Sequence, residues 1–551
     1  MMTNTSTAAL AILLLATAAT EAQQHEHAAA TAPPATLVAG MGRLHHAIAT
    51  TNADAQRFFN QGLTYVYGFN HDEAIRSFRR AAELDPASPM PHWGIALALG
   101  PNINLDVDPE REKAAYTEAQ QAKALLGGAP ANERAYVEAL AVRYSDDPKA
   151  DLKALAVKYK DAMRNVMRRY PDDLDAATLY AESLMDLNPW QLWSPAGTPA
   201  AGTAEIVSLL ESVLRRDPQH IGANHYYIHA VEASKTPERA LQSAKRLDTL
   251  VPAAGHLVHM PAHIYMRTGD YLSAVSSNAK AAEVDRAYIA ANKPAGIYPA
   301  MYYNHNLDFL ASAAMMSGQF ATAKKAADEL TTNVTPALAE MAMLEPFAAK
   351  TLFVLLRFAR WDDVLKLPEA DAKFPLLATL SHFGRGIAHA ARGNLGEAER
   401  ERGAYAEARK AIKPESDWGF NKAKNMLEVT DAVLDAWIAR ARRDDAAAID
   451  AWRIAVIKED MLNYNEPPDW FYPSRESLGA ALLRARRFPQ AEQAFRDDLT
   501  RNPKNGRSLY GLWQTMLASR KALETPAVEA AEKQFREAWK HADVMLKIDE
   551  M

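Results

Sequence analysis

Apolar and small residues return along the chain at the spacing of packed helices, and from residue 53 that spacing is itself repeated. With Ala55 as position 1 of a 34-residue unit, Phe58 falls at position 4, Gly62 at 8, Tyr65 at 11, Ala74 at 20, Phe78 at 24, Ala81 at 27 and Pro86 at 32. Small residues at 8, 20 and 27 let two antiparallel helices approach closely, large ones at 4, 11 and 24 fill the space between them, and the proline ends the second helix. The register recurs from Ile221 (Ile228, Val231, Ala240, Ala244, Leu247, Pro252), Gly255 (Ala262, Tyr265, Ala274, Ala281) and Asn304 (Ala311, Ala314, Ala323, Ala327, Leu330). It returns at Tyr472 (Gly479, Leu482, Ala491, Phe495, Pro503) and, degenerate, at Thr379. No alternating strand pattern competes, so the reading is helix pairs without a sheet, with irregular insertions at 188–202, 292–300 and 466–473.

These slots and their period resemble the tetratricopeptide repeat (TPR) superfamily over residues 53–551. The resemblance implies an all-α fold, a TPR superhelical solenoid of roughly 10–12 helix pairs. The segments FNQGL (59–63), GFNHDEA (68–74), WGIALALGPNINLD (93–106) and EPPDWFYP (466–473) are also similar to those of secreted bacterial TPR proteins of unassigned biochemical role. That similarity carries no activity over. Solenoids of this kind most often offer a concave groove to a peptide or partner protein, so function has to be argued from what lines the groove. Positions 2, 5, 9 and 12 of each first helix share one face, which in this family looks into the groove.

The amino terminus breaks the pattern. Residues 8–19 are apolar but for Thr17 and are followed by Thr20-Glu21-Ala22. This reads as a secretory signal peptide at 1–22, then a flexible segment at 23–52, giving a periplasmic or secreted protein. No later stretch has the ~18 apolar residues of a membrane span. Zero Cys excludes disulfides, thiolate metal sites and thiol nucleophiles. With 62 Lys+Arg against 68 Asp+Glu and a net charge of -6, the chain offers no field for a phosphate backbone, and no nucleic-acid partner is expected. The Gly-rich phosphate loop, the nucleophile elbow and HExxH are all absent.

Candidate chemistry lies in the histidines. Six of the 16 His fall between residues 225 and 305. His225 and His259 occupy position 5, His229 and His263 position 9, and His256 and His305 position 2, in units spanning 221–337. Asp308 at position 5 and Glu232 at position 12 join them, with Glu182 in the preceding unit. Two imidazoles at i, i+4 share a helix face and can bind one cation, and helices packed ~8–10 Å apart bring further ligands within reach. The expected metal set is therefore His225, His229, His259, His263, His256, His305 and Asp308. The ion would be a transition metal, with Zn, Cu, Fe and Mn all compatible with imidazole and carboxylate. Glu182 and Glu232 are the candidate bases if the metal activates water or dioxygen. Pro261 between His259 and His263 suggests a helix starting near His259, with His256 in the loop before it. His71, His382 and His389 fall on turn or packing positions, and His25 and His27 form a short HEH in the tail.

Two functions follow as alternatives. One is metal-dependent catalysis or metal handling at the groove; the other is a non-enzymatic scaffold that binds a small molecule, a peptide or a partner protein there.

Overall fold

The computed structural model describes residues 35–294, 296–519 and 525–551. The expected signal peptide at 1–22, His25, His27 and the part of the 23–52 segment before residue 35 lie outside these. The chain forms two compact units. Unit 1 runs through Met260 and takes in Glu283–Pro299; unit 2 holds Pro261–Ala282 and Ala300–Met551.

In unit 1 the helices are α1 (Ala53–Tyr67), α2 (His71–Leu84), α3 (Met90–Leu99), α4 (Pro109–Ala124), α5 (Ala131–Leu140), α6 (Leu152–Arg169), α7 (Leu174–Met185), α8 (Thr203–Arg216), α9 (Ile221–Val231), α10 (Leu241–Leu250) and α11 (Gly255–His259). Several starts are set by side chains that accept the orphan first-turn amides, among them Asn52 at α1, Asn70 at α2, Asp173 at α7 and His220 at α9. Packing follows the slots read from the sequence. The Phe78 ring lies between Gly62 of its own pair and Gly94 of the next, and a Cβ at either would come within 2.6 Å of it. Phe495 sits in the same way against Gly479 and Gly511 in unit 2, at 2.6 and 2.1 Å. One large side chain therefore fills the gap left by two glycines in successive pairs.

Residues 35–52, expected as part of the flexible segment, are instead tied to α1 by its amide side chains. Gln61 accepts from the Val38 amide at 2.8 Å and donates to the Thr36 carbonyl at 3.0 Å. Gln56 does the same for the Ile48 amide and the His46 carbonyl.

Unit 2 begins with α12 (Pro261–Thr268). The chain breaks after α11 at Met260, so Pro261 takes a first-turn position where its missing N–H costs nothing. His256 is therefore helical, contrary to the expectation that it lies in a loop. Further on are α13 (Tyr271–Asn292), which passes back into unit 1, α14 (Tyr303–Met316), α15 (Phe320–Val334), α16 (Glu345–Ala348), α17 (Lys350–Arg357), α18 (Trp361–Lys366), α19 (Pro375–Ala391), α20 (Leu395–Ala408), α21 (Ala423–Ala441), α22 (Asp445–Asp460), α23 (Ser474–Arg484), α24 (Phe488–Arg501), α25 (Gly506–Ala518) and α26 (Thr525–Ala538). The expectation of no sheet needs one correction. Asp417–Trp418 and Asn421–Lys422 pair antiparallel as β1 and β2, because Gly419 at φ 58 permits a two-residue hairpin turn. Glu476, buried in unit 2, receives Arg357 at 2.9 Å, Arg507 at 3.1 Å and Asn505 at 2.6 Å. Among the described residues no helix is long and apolar enough to cross a membrane.

Candidate metal centre

The centre is built around the turn that joins α1 to α2. Tyr67, the last residue of α1, has a carbonyl that no later helical amide can reach. Nδ1 of His225 donates to it at 2.6 Å. Two residues on, Phe69 takes φ 55, an uncommon backbone conformation for a bulky side chain. That turn lays the Phe69 ring on three imidazoles: His225 at 4.6 Å, His256 at 5.5 Å and His229 at 6.0 Å between centroids. The GFNHDEA segment thus forms one wall of the site.

His225 and His229 stand one turn apart on α9 with ring centroids 4.9 Å apart, and His256 on α11 lies 5.0 Å from His225. Each of the three offers a ring nitrogen, and these nitrogens all lie within 4.8 Å of one another. The residues are 0%, 5% and 2% exposed. Nδ1 of His229 donates to Oε1 of Glu232 at 2.7 Å. A carbonyl and a carboxylate only accept, so Nδ1 carries the proton in both His225 and His229. In the neutral rings the lone pair is then on Nε2, which is the state a metal requires. His256 is placed by its own amide, which donates to the Tyr298 hydroxyl at 3.2 Å; that hydroxyl donates to Asp285 at 3.0 Å. Gly255 is needed there, since a Cβ would fall 1.9 Å from an Asp285 oxygen.

The insertion at 188–202 supplies a second wall. Trp190, at φ 59, presents its ring edgewise to His229 at 5.7 Å, and its Nε1 donates to Asn104 in the Gly-Pro-Asn loop at 3.1 Å. Phe69 and Trp190, two bulky residues in left-handed conformations, therefore both pack on His229.

The expected ladder is divided between the two units. His259, also in unit 1, lies 5.7 Å from His256 between centroids. His263, His305 and Asp308 belong to unit 2, where the rings of His263 and His305 are 6.0 Å apart and both pack on Phe309. Asp308 is engaged by Lys350 at 2.5 Å, so its charge is already neutralised by an ammonium. Burial, and then the charge of Asp186, push the Glu182 carboxyl well above the usual carboxylate range. Glu232 orients His229. His71 is buried against Asn102, and burial and then the Arg111 charge push its pKa down to about 3. His382 pairs with Glu401 at 2.7 Å.

A second polar centre in unit 1 has no periodic signal in the sequence. Asp175, in the first turn of α7, accepts from Nδ1 of His46 at 2.8 Å, from Nε2 of His220 at 3.3 Å and from the Tyr67 hydroxyl at 2.5 Å. His46 lies in the irregular segment before α1 and His220 is a cap. Neither position carries a signal in the sequence that could have suggested it.

Residues 55–88 match the family model described as tetratricopeptide repeat. No curated protein matches the chain. Among solved structures, yeast Tom70 is similar at 12% identity and a TM-score of 0.27, over 89% of this chain and 92% of that one. The APC/C hetero-tetramer Cut9-Hcn1 is similar at 11% identity and a TM-score of 0.26, over 89% and 96%. The structure of Naa15/Naa10 bound to HypK-THB gives 14% and 0.24, over 89% and 84%. These scores are too low to argue from; what the matched repeat and the helix pairs that reuse its packing slots show is a chain that carries a tetratricopeptide repeat at residues 55–88 within an almost entirely helical fold.

Proposed function

We propose that this TPR protein binds a transition-metal ion in unit 1 through His225, His229 and His256. The observation that carries the reading is the convergence of three ring nitrogens within 4.8 Å, two of them on rings whose Nδ1 is held by an acceptor. Imidazole ligands without thiolate suit Zn, Cu or Fe. Catalytic metal sites keep a position open to substrate. Here the ligands are 5% exposed or less and are walled by Phe69 and Trp190, which favours metal handling or a structural role over turnover. The ion would join the α1–α2 turn, α9 and α11. Metal analysis of protein purified without chelator tests the reading, and a metal-free chain that gains no thermal stability from added Zn, Cu, Fe or Mn would overturn it.

A second reading, a scaffold that binds a peptide or partner protein, draws on a contact in unit 2, where helix side chains hold the main chain of the carboxy-terminal turn. Arg440, Arg484 and Arg507, on helices α21, α23 and α25, donate to the main-chain carbonyls of Asp549, Ile548 and Glu550 at 2.9, 2.9 and 3.1 Å. Export from the cytoplasm is a further proposal, resting on the apolar run at 8–19; recovery of Met1 by N-terminal sequencing from the native host would overturn it.

A further inference from the structure

Tyr67 is held at both ends. Its backbone carbonyl receives His225 at 2.6 Å, and its phenol donates to Asp175 at 2.5 Å. Between these, its ring packs so closely on α9 that a Cβ at Gly222 would lie 2.5 Å from it. After Tyr67 the helix ends and the chain turns through Phe69, so α1 itself supplies no further restraint on that carbonyl. The phenol contact does. We infer that Asp175 is a positioning residue for the metal site, anchoring Tyr67 by its phenol so that the Tyr67 carbonyl fixes the ring of His225. The inference rests on His225, His229 and His256 being metal ligands.

Asp175 is suited to this role. Its side chain is 14% exposed and receives donors from three parts of the chain: His46 from the segment before α1, Tyr67 from the end of α1, and His220 from the cap of α9. Nδ1 of His220 accepts from the Ala223 amide, so its Nε2 carries the proton that Asp175 receives. Burial works against a charge on Asp175, yet the bonds from His220 and His46 hold its pKa well below the usual carboxylate range. Burial and the Asp175 charge keep Tyr67 a phenol, and so a donor. His46, Asp173 and Asp175 could in principle gather around a cation themselves. But Asp175 already meets three donors, and the two oxygens of Asp173 accept from the Ala176 amide and the Tyr136 hydroxyl. The cluster is a hydrogen-bond hub, and through it the segment carrying His46 is tied to the metal site.

Titration of the metal-free full chain with Co(II), followed by visible absorption, tests the inference. Tyr67→Phe keeps the ring and the carbonyl and removes only the phenol hydroxyl; Asp175→Asn keeps the shape and replaces one acceptor oxygen with a donor. Both should raise the Co(II) dissociation constant about tenfold, the lower end of the range for groups that orient ligands, and shift the absorption bands. His45→Ala, a neighbour that bonds Asn60 rather than Asp175, should match the unsubstituted protein. A purely structural role would lower the urea midpoint while leaving the affinity and spectrum of the folded protein unchanged, and that result in Tyr67→Phe would overturn the inference alone. An unsubstituted chain that binds no Co(II) would overturn the reading of the three histidines and this inference with it.

Discussion

The carbonyl of Tyr67 accepts a hydrogen bond from Nδ1 of His225 across 158 residues of chain. It joins the first repeat to α9, and it fixes the tautomer of a candidate ligand by using the unsatisfied end of a helix. The negative end of the α1 dipole also faces that imidazole, which favours a cation bound at the far side of the neutral ring.

Alanine at His225, His229 or His256 should abolish stoichiometric metal binding, because each leaves an incomplete shell. Metal added at about 100 times its dissociation constant should stabilise the unsubstituted protein by about 2.7 kcal/mol, and the three variants should lose that increment in thermal melts. His382→Ala and His389→Ala should bind metal normally.

Glu232→Gln tests the orienting carboxylate. The amide still fills the space but no longer holds a charge against the Nδ1 proton of His229, so metal affinity should fall about 10–100-fold with helicity unchanged. Isothermal titration of both proteins with Zn(II) reads this directly.

Gly222→Ala places a methyl 2.5 Å from the Tyr67 ring. Overpacking of this kind costs about 1–3 kcal/mol. Urea denaturation should show that loss, and metal affinity should drop with it, because the displaced residue is the one that holds His225.

The pair of His46 and Asp175 gives a stability window. Burial opposes a charge on His46, but the hydrogen bond and charge of Asp175 outweigh it and raise its pKa above the ordinary 6.5, while that of Asp175 is held below the ordinary 3.8. The His46 contribution is full below 6.5 and is lost as pH rises through the folded value. The Asp175 contribution is full above 3.8 and is lost as pH falls through its folded value. The stability difference between the metal-free unsubstituted protein and His46→Gln should therefore be largest between pH 3.8 and 6.5 and shrink on the alkaline side.

Glu476→Gln in unit 2 should cost about 3–5 kcal/mol, as it leaves Arg357 and Arg507 buried without their anion. Thermal melts should show the loss without any change in metal content, since the site lies in unit 1.

The repeat was legible because it is a steric requirement written at fixed intervals. Gly62, Phe78 and Ala81 can only be small or large where two helices meet, and the structure places Phe78 against Gly62 and Gly94 accordingly. The pairing of His225 with His229 was legible for the same reason, since i, i+4 on a helix is local geometry. The sequence could not tell that Asp308 would meet Lys350, that burial would push the Glu182 carboxyl upward, or that His263 and His305 would fall in the other unit. Nor could it reveal Phe69, Trp190, His46 or Asp175, which come from loops, an insertion and a helix start. Such residues carry no period, and their contacts exist only once distant turns are packed together. Local spacing determined the helices and one helix face; tertiary packing decided which side chains on that face converge, because burial and partner charge depend on the whole fold.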